Sequence, residues 1–240
     1  MDHTDIIVIG AGAVGLAITA RLSEKYSVVV LEKEESFGRH TSSRNSETIH
    51  SGIYYPQNTL KATLCLRGNS LLYQFMKEND ISHSNCGKYI IASSKDELPE
   101  IERLYRNGMA NGVPDLRMAE GNEIEKAEPL VRAVAGVYIP TAGIINSHEL
   151  MKRLETISKE NGALFSYRSE VYRLGKASTG YKVTTTAGDS ILSDAVFNCA
   201  GLFSDRVSEY AGIDIDRMNY RLNFCKGEYY KSDNVKKMNM

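Results

Sequence analysis

Apolar and polar positions divide the first 32 residues into three pieces. Residues 5–9 are a short apolar run, residues 13–25 carry apolar positions at helical spacing, and residues 27–31 form a second apolar run closed by Glu32. Continuous apolar runs of this length suit strands covered on both faces, so the pieces read as strand, helix and strand. The stretch 33–52 is polar and long for a simple connection, which marks it as a functional loop. A helix is expected over 58–79, with Leu60, Leu64, Leu71, Leu72, Phe75 and Met76 largely on one side. Next come a strand at 87–93, a helix from 95 to about 108 capped by Ser94, a short helix over 120–127 and a strand at 136–140. The N-x-x-E spacing of Asn146 and Glu149 opens a helix that Gly162 stops. Residues 163–167 read as a strand. The runs 170–174, 181–186 and 190–192, punctuated by Gly175, Gly180 and Gly188, read as a meander. An apolar strand at 195–199, a helix from Gly201 to about Tyr210 and a strand over 221–231 complete the pattern.

This order predicts an α/β protein in two discontinuous parts. Residues 1–52 and 144–215 form a Rossmann-like nucleotide-binding domain with a mostly parallel sheet. Residues 53–143 and 216–240 form an α+β substrate domain with an antiparallel sheet, incomplete at its end. A composite site is expected where the two meet.

The turn after the first strand carries the chemistry. Gly10, Gly12 and Gly15 form G-x-G-x-x-G with a strand before and a helix after. Gly10 makes the tight turn, Gly12 lets the backbone approach a pyrophosphate, and Gly15 allows close helix–strand packing. The helix N-terminus at Ala13 and Val14 offers N–H groups and a positive dipole end to phosphate. Glu32 follows at the spacing of about 20 residues at which a carboxylate accepts from a ribose 2′-OH, and Lys33 continues into the same site. The fingerprint by itself does not separate FAD from NAD.

Composition narrows the class. A net charge of -1 gives no field for nucleic acid. No apolar run approaches the ~20 residues that span a bilayer. The acidic N-terminus, MDHTD, is neither a signal nor a transit peptide. The cytoplasm is therefore the expected location, and peripheral contact with the inner membrane is compatible with it. Cys65, Cys86, Cys199 and Cys225 are widely spaced, so they read as buried or free thiols and no metal site is expected.

Segments throughout the chain resemble the L-2-hydroxyglutarate dehydrogenase/oxidase family, within the FAD-dependent, D-amino-acid-oxidase-like class. They are R-N-S-x-x-I-H-S-G-I-Y-Y (44–55), L-K-A-T-L-C (60–65), N-C-G-K (85–88), N-G-V-P (111–114), C-A-G-L-F-S-D-R (199–206) and K-G-E-Y-Y (226–230). Two departures stand out. Glu47 replaces a family glycine, and the chain stops at Met240, short of the family's length, which reads as a C-terminal truncation. The resemblance implies FAD as cofactor and oxidation of a 2-hydroxy acid to the 2-oxo acid, with electrons passing to a quinone-type acceptor or oxygen. It implies that Ser42, Ser43 and Asn45 contact cofactor, that the backbone of Val171 meets adenine, and that Ala200 and Gly201 lie near the pyrophosphate. Arg44, Tyr54 and Tyr55 are the candidates for substrate contact.

His50 is the candidate base, because an imidazole with an ordinary pKa of about 6.5 suits proton removal near neutrality. Its alternative is a histidine bonded into the loop. Lys61 and Arg67 can meet a substrate carboxylate or lie on a solvated helix face. His148 reads as structural or solvated, and His3, His40 and His83 have no partner at a recognisable spacing. Rival functions are an FAD oxidoreductase acting on an amino acid, an amine or glycerol 3-phosphate, and a non-catalytic FAD-binding fragment. An NAD-dependent dehydrogenase fits the first 32 residues but leaves 38–55 unexplained.

Overall fold

The computed structural model describes residues 2–228. Its elements are β1 (His3–Ile9), α1 (Ala13–Leu22), β2 (Val28–Leu31), β3 (Thr48–Ile49), α2 (Leu60–Glu78), β4 (His83–Ser84), β5 (Lys88–Ala92), α3 (Leu98–Asn111) and β6 (Arg117–Glu120). They continue with α4 (Gly121–Ala127), β7 (Ala135–Ile139), β8 (Gly143–Ile145), α5 (Ser147–Glu160), β9 (Leu164–Ser166), β10 (Val171–Lys176), β11 (Tyr181–Thr185), β12 (Ser190–Asn198) and α6 (Ser204–Tyr210). The chain sorts into two compact units, residues 2–45 with 147–228 and residues 46–146.

The first unit is built on a sheet of order β10-β11-β12-β1-β2-β9. The pairings from β12 through β1 and β2 to β9 are parallel, and those of β10, β11 and β12 are antiparallel. β1 lies inside the sheet, and Ile6 to Ile9 are all buried. A strand covered on both faces needs no polar side, which is why its apolar run is continuous. α1 buries Gly15, Leu16, Thr19 and Ala20 and packs beside α5. On the other face Ile7, Ile9, Leu31, Val171, Leu174, Val183 and Val207 form one core, with Val207 supplied by α6.

Two expectations need correction. The runs at 190–192 and 195–199 are a single nine-residue strand, β12. The polar pair Ser193–Asp194 reads as a break, but Ser193 is satisfied inside the sheet and Asp194 points to the exposed side, where it pairs with β1. Ser193 Oγ donates to the Asp5 and Ala195 carbonyls at 3.2 and 2.7 Å, and the Asp194 carboxylate meets His3 Nε2 at 3.0 Å. The strand expected over 221–231 is not formed by residues 221–228, and 229–231 lie outside the described residues. Residues 216–228 also group with the first unit. Arg221 binds Asp216 at 2.5 and 2.6 Å and reaches Glu209 of α6 at 3.6 Å, while the Leu222 N–H donates to Asp205 at 3.4 Å.

The second unit holds two antiparallel three-stranded sheets, β3-β8-β4 and β5-β7-β6. Its core gathers Ile53, Ile101, Leu104, Val113, Leu116, Val137 and Ile139. β3, β4 and β8 are two or three residues long, too short for any period to declare them.

Candidate functional site

The glycine turn sits where β1, β2 and β12 end. The Gly10 N–H donates to the Leu31 carbonyl at 2.8 Å, and the Cys199 N–H donates to the Ile9 carbonyl at 2.9 Å. Gly10 has φ +103°, and a Cβ there would lie 2.5 Å from the Cys199 carbonyl oxygen. A Cβ on Gly15 would lie 2.0 Å from the Gly10 carbonyl oxygen, and one on Gly12 would lie 3.0 Å from Ser42 Oγ. Gly10 is therefore required by backbone conformation and close approach, Gly15 by close approach, and Gly12 leaves the space that Ser42 fills. Ser42 reaches from the polar loop to accept a hydrogen bond from the Ala13 N–H at 3.0 Å. It caps a helix whose own N-cap residue, Gly12, has no side chain to do so. The next first-turn N–H groups, those of Val14 and Gly15, have no protein acceptor among the described residues, which leaves them for an anion.

A cavity of about 370 Å³ opens over this turn. Gly10, Gly12, Val14, Glu32, Lys33, Ser42, Val171, Ala200 and Gly201 all line it. Of the residues expected at the cofactor, Ala13, Gly15, Ser43 and Asn45 do not. Ser43 Oγ donates to the His40 carbonyl at 3.2 Å, and Asn45 Nδ2 donates to the Ser42 and Thr41 carbonyls at 2.9 and 3.3 Å. The Arg44 guanidinium binds the Arg39 carbonyl. These side chains fold the loop onto itself and so hold Ser42 in place.

Glu32 is buried, and both its oxygens hold main chain. Oε2 accepts from the Ala11 N–H at 2.6 Å, and Oε1 accepts from the Glu34 N–H at 2.9 Å. A carboxylate has about four lone-pair positions, so acceptors remain for a hydroxyl in the cavity. Val171 begins β10, an edge strand whose ladder is irregular between Val171 and Arg173.

The sequence pattern missed His40 and Phe203, which also line the cavity. His40 Nε2 lies 2.8 Å from Glu34 Oε1, a hydrogen bond that holds the Glu34 carboxyl below its ordinary range. The Lys33 ammonium stands 3.5 Å over the Phe203 ring, and His40 meets the edge of the same ring at 5.8 Å. The spacing of His40 gave no signal because its aromatic partner comes from a distant segment of the chain. His3 pairs with Asp194, His83 Nδ1 lies 2.7 Å from the Ile81 carbonyl oxygen, and His148 packs on Phe37 at 5.3 Å. Burial pushes the Cys199 thiol up, and all four cysteines are free thiols.

His50, Tyr54 and Tyr55 belong to the second unit. Their loop is held by three asparagine amides. Asn69 donates to the His50 carbonyl at 3.1 Å, Asn107 to Ile53 and Tyr55 at 2.7 and 2.9 Å, and Asn111 to Gly52 and Tyr55 at 3.1 and 2.8 Å. Removing an amide that serves two carbonyls costs about 1–3 kcal/mol. Asn111→Ala is therefore expected to lower the unit's stability by that amount, read as the shift of its chemical denaturation midpoint. The His50 imidazole is held below the ordinary histidine value of 6.5, first by loss of water contact and then by the charges of Lys88 and Lys61.

The family described as FAD dependent oxidoreductase matches residues 5–239. Human mitochondrial L-2-hydroxyglutarate dehydrogenase is 35% identical over 226 residues, which cover 88% of this chain and 49% of that protein. L-2-hydroxyglutarate dehydrogenase of Escherichia coli K12 is 28% identical over 230 residues, 95% of this chain and 54% of that protein. The chain thus spans about half the length of the curated relatives it matches. Among solved structures, FAD-bound, dithionite-reduced L-α-glycerophosphate oxidase from Mycoplasma pneumoniae superposes with a TM-score of 0.85 at 26% identity, over 89% of this chain and 58% of that one. Glycine oxidase from Geobacillus kaustophilus superposes with a TM-score of 0.81 at 22% identity, over 89% and 60%, and so shares the fold. The glycine cradle that any Cβ would fill, and the first-turn N–H groups of α1, fit the ADP half of FAD.

Proposed function

Because this chain belongs to the FAD-dependent oxidoreductase family, we propose that it carries the cofactor half of an enzyme that oxidises L-2-hydroxyglutarate, or a close 2-hydroxy acid, to the 2-oxo acid. Residues 2–45 and 147–228 act as the FAD-binding domain, and 46–146 contribute to the substrate domain. Gly10, Gly12, Val14 and Gly15 hold the pyrophosphate at the N-terminus of α1. Ala13 and Ser42 fix that terminus, and Ser43, Arg44 and Asn45 fix Ser42. Glu32 and Lys33 meet the ribose, the backbone of Val171 meets adenine, and Ala200 and Gly201 line the phosphate side.

FAD supplies the acceptor for the Cα hydride, and reoxidation by a quinone-type acceptor or oxygen closes the turnover. His50 takes the hydroxyl proton, with Tyr54 and Tyr55 beside the substrate. The observation that carries this reading is the company His50 keeps. Loss of water contact, then the charges of Lys88 and Lys61, lower its pKa and so favour the neutral imidazole that can accept a proton, and both lysines repel an ammonium substrate while attracting an anionic alcohol. No helix among the described residues is long and apolar enough to cross a membrane. A cytoplasmic location with peripheral contact at the inner membrane would bring a quinone within reach.

The close superposition on the glycerophosphate oxidase favours one second reading, oxidation of glycerol 3-phosphate. Anaerobic mixing of the FAD-loaded protein with L-2-hydroxyglutarate, glycerol 3-phosphate or glycine separates the readings. Loss of visible flavin absorbance is expected fastest with L-2-hydroxyglutarate. Faster loss with glycerol 3-phosphate would move the assignment there. Bleaching by dithionite alone would leave an FAD-binding module without turnover.

The pH dependence follows in sign. A histidine whose pKa is lowered stays neutral to more acid pH, so the acid limb of the flavin-reduction rate should fall below the ordinary value of 6.5. Lys88→Gln removes one of the two charges and should move that limb up towards 6.5.

A further inference from the structure

Two lysines from different elements converge on the His50 loop. The Lys61 ammonium stands 4.8 Å from the Tyr55 ring centroid, and the Lys88 ammonium stands 5.2 Å from the Tyr54 centroid, donating to Tyr54 Oη at 3.4 Å. Lys61 sits in the first turn of α2, which holds no acidic residue and where the helix dipole opposes a cation. Among the described residues neither ammonium has a carboxylate partner. Two positive charges, each laid against an aromatic ring of the loop that carries His50 and both acting on its imidazole, form a doubly cationic surface. A dianion neutralises it fully and a monoanion only half.

We infer that Lys61 and Lys88, flanked by Tyr55 and Tyr54, form a subsite that selects a doubly charged anionic substrate over a singly charged one beside His50. The inference deepens the 2-hydroxy acid reading and rests on it for the identity of the base. Its ligand class is a small dianion, either a dicarboxylate or a phosphate ester. The lysines bind the anionic groups, and the hydroxyl-bearing carbon faces the imidazole. Each ammonium rests against a tyrosine ring, a contact that leaves it donors free for an oxygen anion.

The test uses the FAD-loaded chain and the ring resonances of His50, assigned by their disappearance in His50→Asn. The probes are 2-oxoglutarate, pyruvate and glycerol 3-phosphate. Saturable binding of 2-oxoglutarate is expected, about tenfold or more tighter than pyruvate. Lys61→Gln and Lys88→Gln should each weaken it about fivefold to tenfold, while Lys61→Arg and Lys88→Arg keep most of it. Selective binding of glycerol 3-phosphate over pyruvate would support the same charge selection with the phosphate ester as ligand. Equal binding of pyruvate and the dianions, unchanged affinity in both Gln variants, or no saturable dianion binding would overturn the subsite. Dianion selection without flavin reduction by L-2-hydroxyglutarate would leave the subsite and remove the reaction. Flavin reduction that both Gln variants leave untouched would do the reverse.

Discussion

Gly15→Ala is expected to cost the protein its cofactor as well as part of its stability. The new methyl would lie 2.0 Å from the Gly10 carbonyl oxygen, 3.2 Å from the Gly10 carbonyl carbon and 3.3 Å from Cys199 Cβ. The first two of these atoms are main chain, part of the turn that joins β1 to α1, and cannot rotate away. The helix must shift off the strand instead. Overpacking of this kind costs about 1–3 kcal/mol. The shift also carries the first-turn N–H groups away from the pyrophosphate, so FAD affinity should fall about a hundredfold. Gly68→Ala is the control. Gly68 lies inside α2, and a Cβ there meets nothing within 4 Å. The same exchange should raise stability by about 0.5–1 kcal/mol, because alanine is the better helix former and the site has room. Denaturation midpoints and an FAD titration on the two variants read both effects. An unchanged FAD affinity in Gly15→Ala would break the link between this turn and the cofactor.

Glu32→Ala is expected to be the second large loss. The buried carboxylate accepts from the Ala11 and Glu34 N–H groups, so it ties the glycine turn to the loop that follows β2. One buried and one half-buried donor left without acceptors cost about 2–4 kcal/mol together. Glu32→Gln separates the structural part from the binding part. Its amide keeps the shape and one acceptor, but turns donors towards the remaining N–H. Stability should fall by less than in Glu32→Ala, while the site loses the charge-assisted bond to a ribose hydroxyl. If Glu32→Gln keeps full FAD affinity, Glu32 serves the fold alone.

The sequence declared most readily what repeats at a short period or obeys a fixed spacing. β1, α1 and β2 are covered by apolar runs, and Gly10, Gly12, Gly15 and Glu32 stand at distances that one turn dictates. α2 followed from helical periodicity, and α3 and α5 from the capping signals at Ser94 and at Asn146 with Glu149. What stayed hidden was the structure created by contacts distant in the chain. Ser42 caps α1 from another segment, which no local capping rule detects. Ser193 and Asp194 look like a turn until β1 is laid beside them. Asn69, Asn107 and Asn111 look like ordinary polar helix positions, yet their amides hold the loop that presents His50. The lysines at 61 and 88 each resemble a solvated side chain, and only the fold brings both to one histidine.

In the proposed site, the turn at Gly10 to Gly15, Glu32 and the strand end at Ala200 grip FAD through its ADP half. Equilibrium binding of FAD, measured with ADP and with FMN as competitors, tests it directly. FMN carries the same flavin ring without the ADP half. ADP is expected to displace FAD, and FMN is expected not to. Displacement by FMN with no effect of ADP would place the grip elsewhere and contradict it.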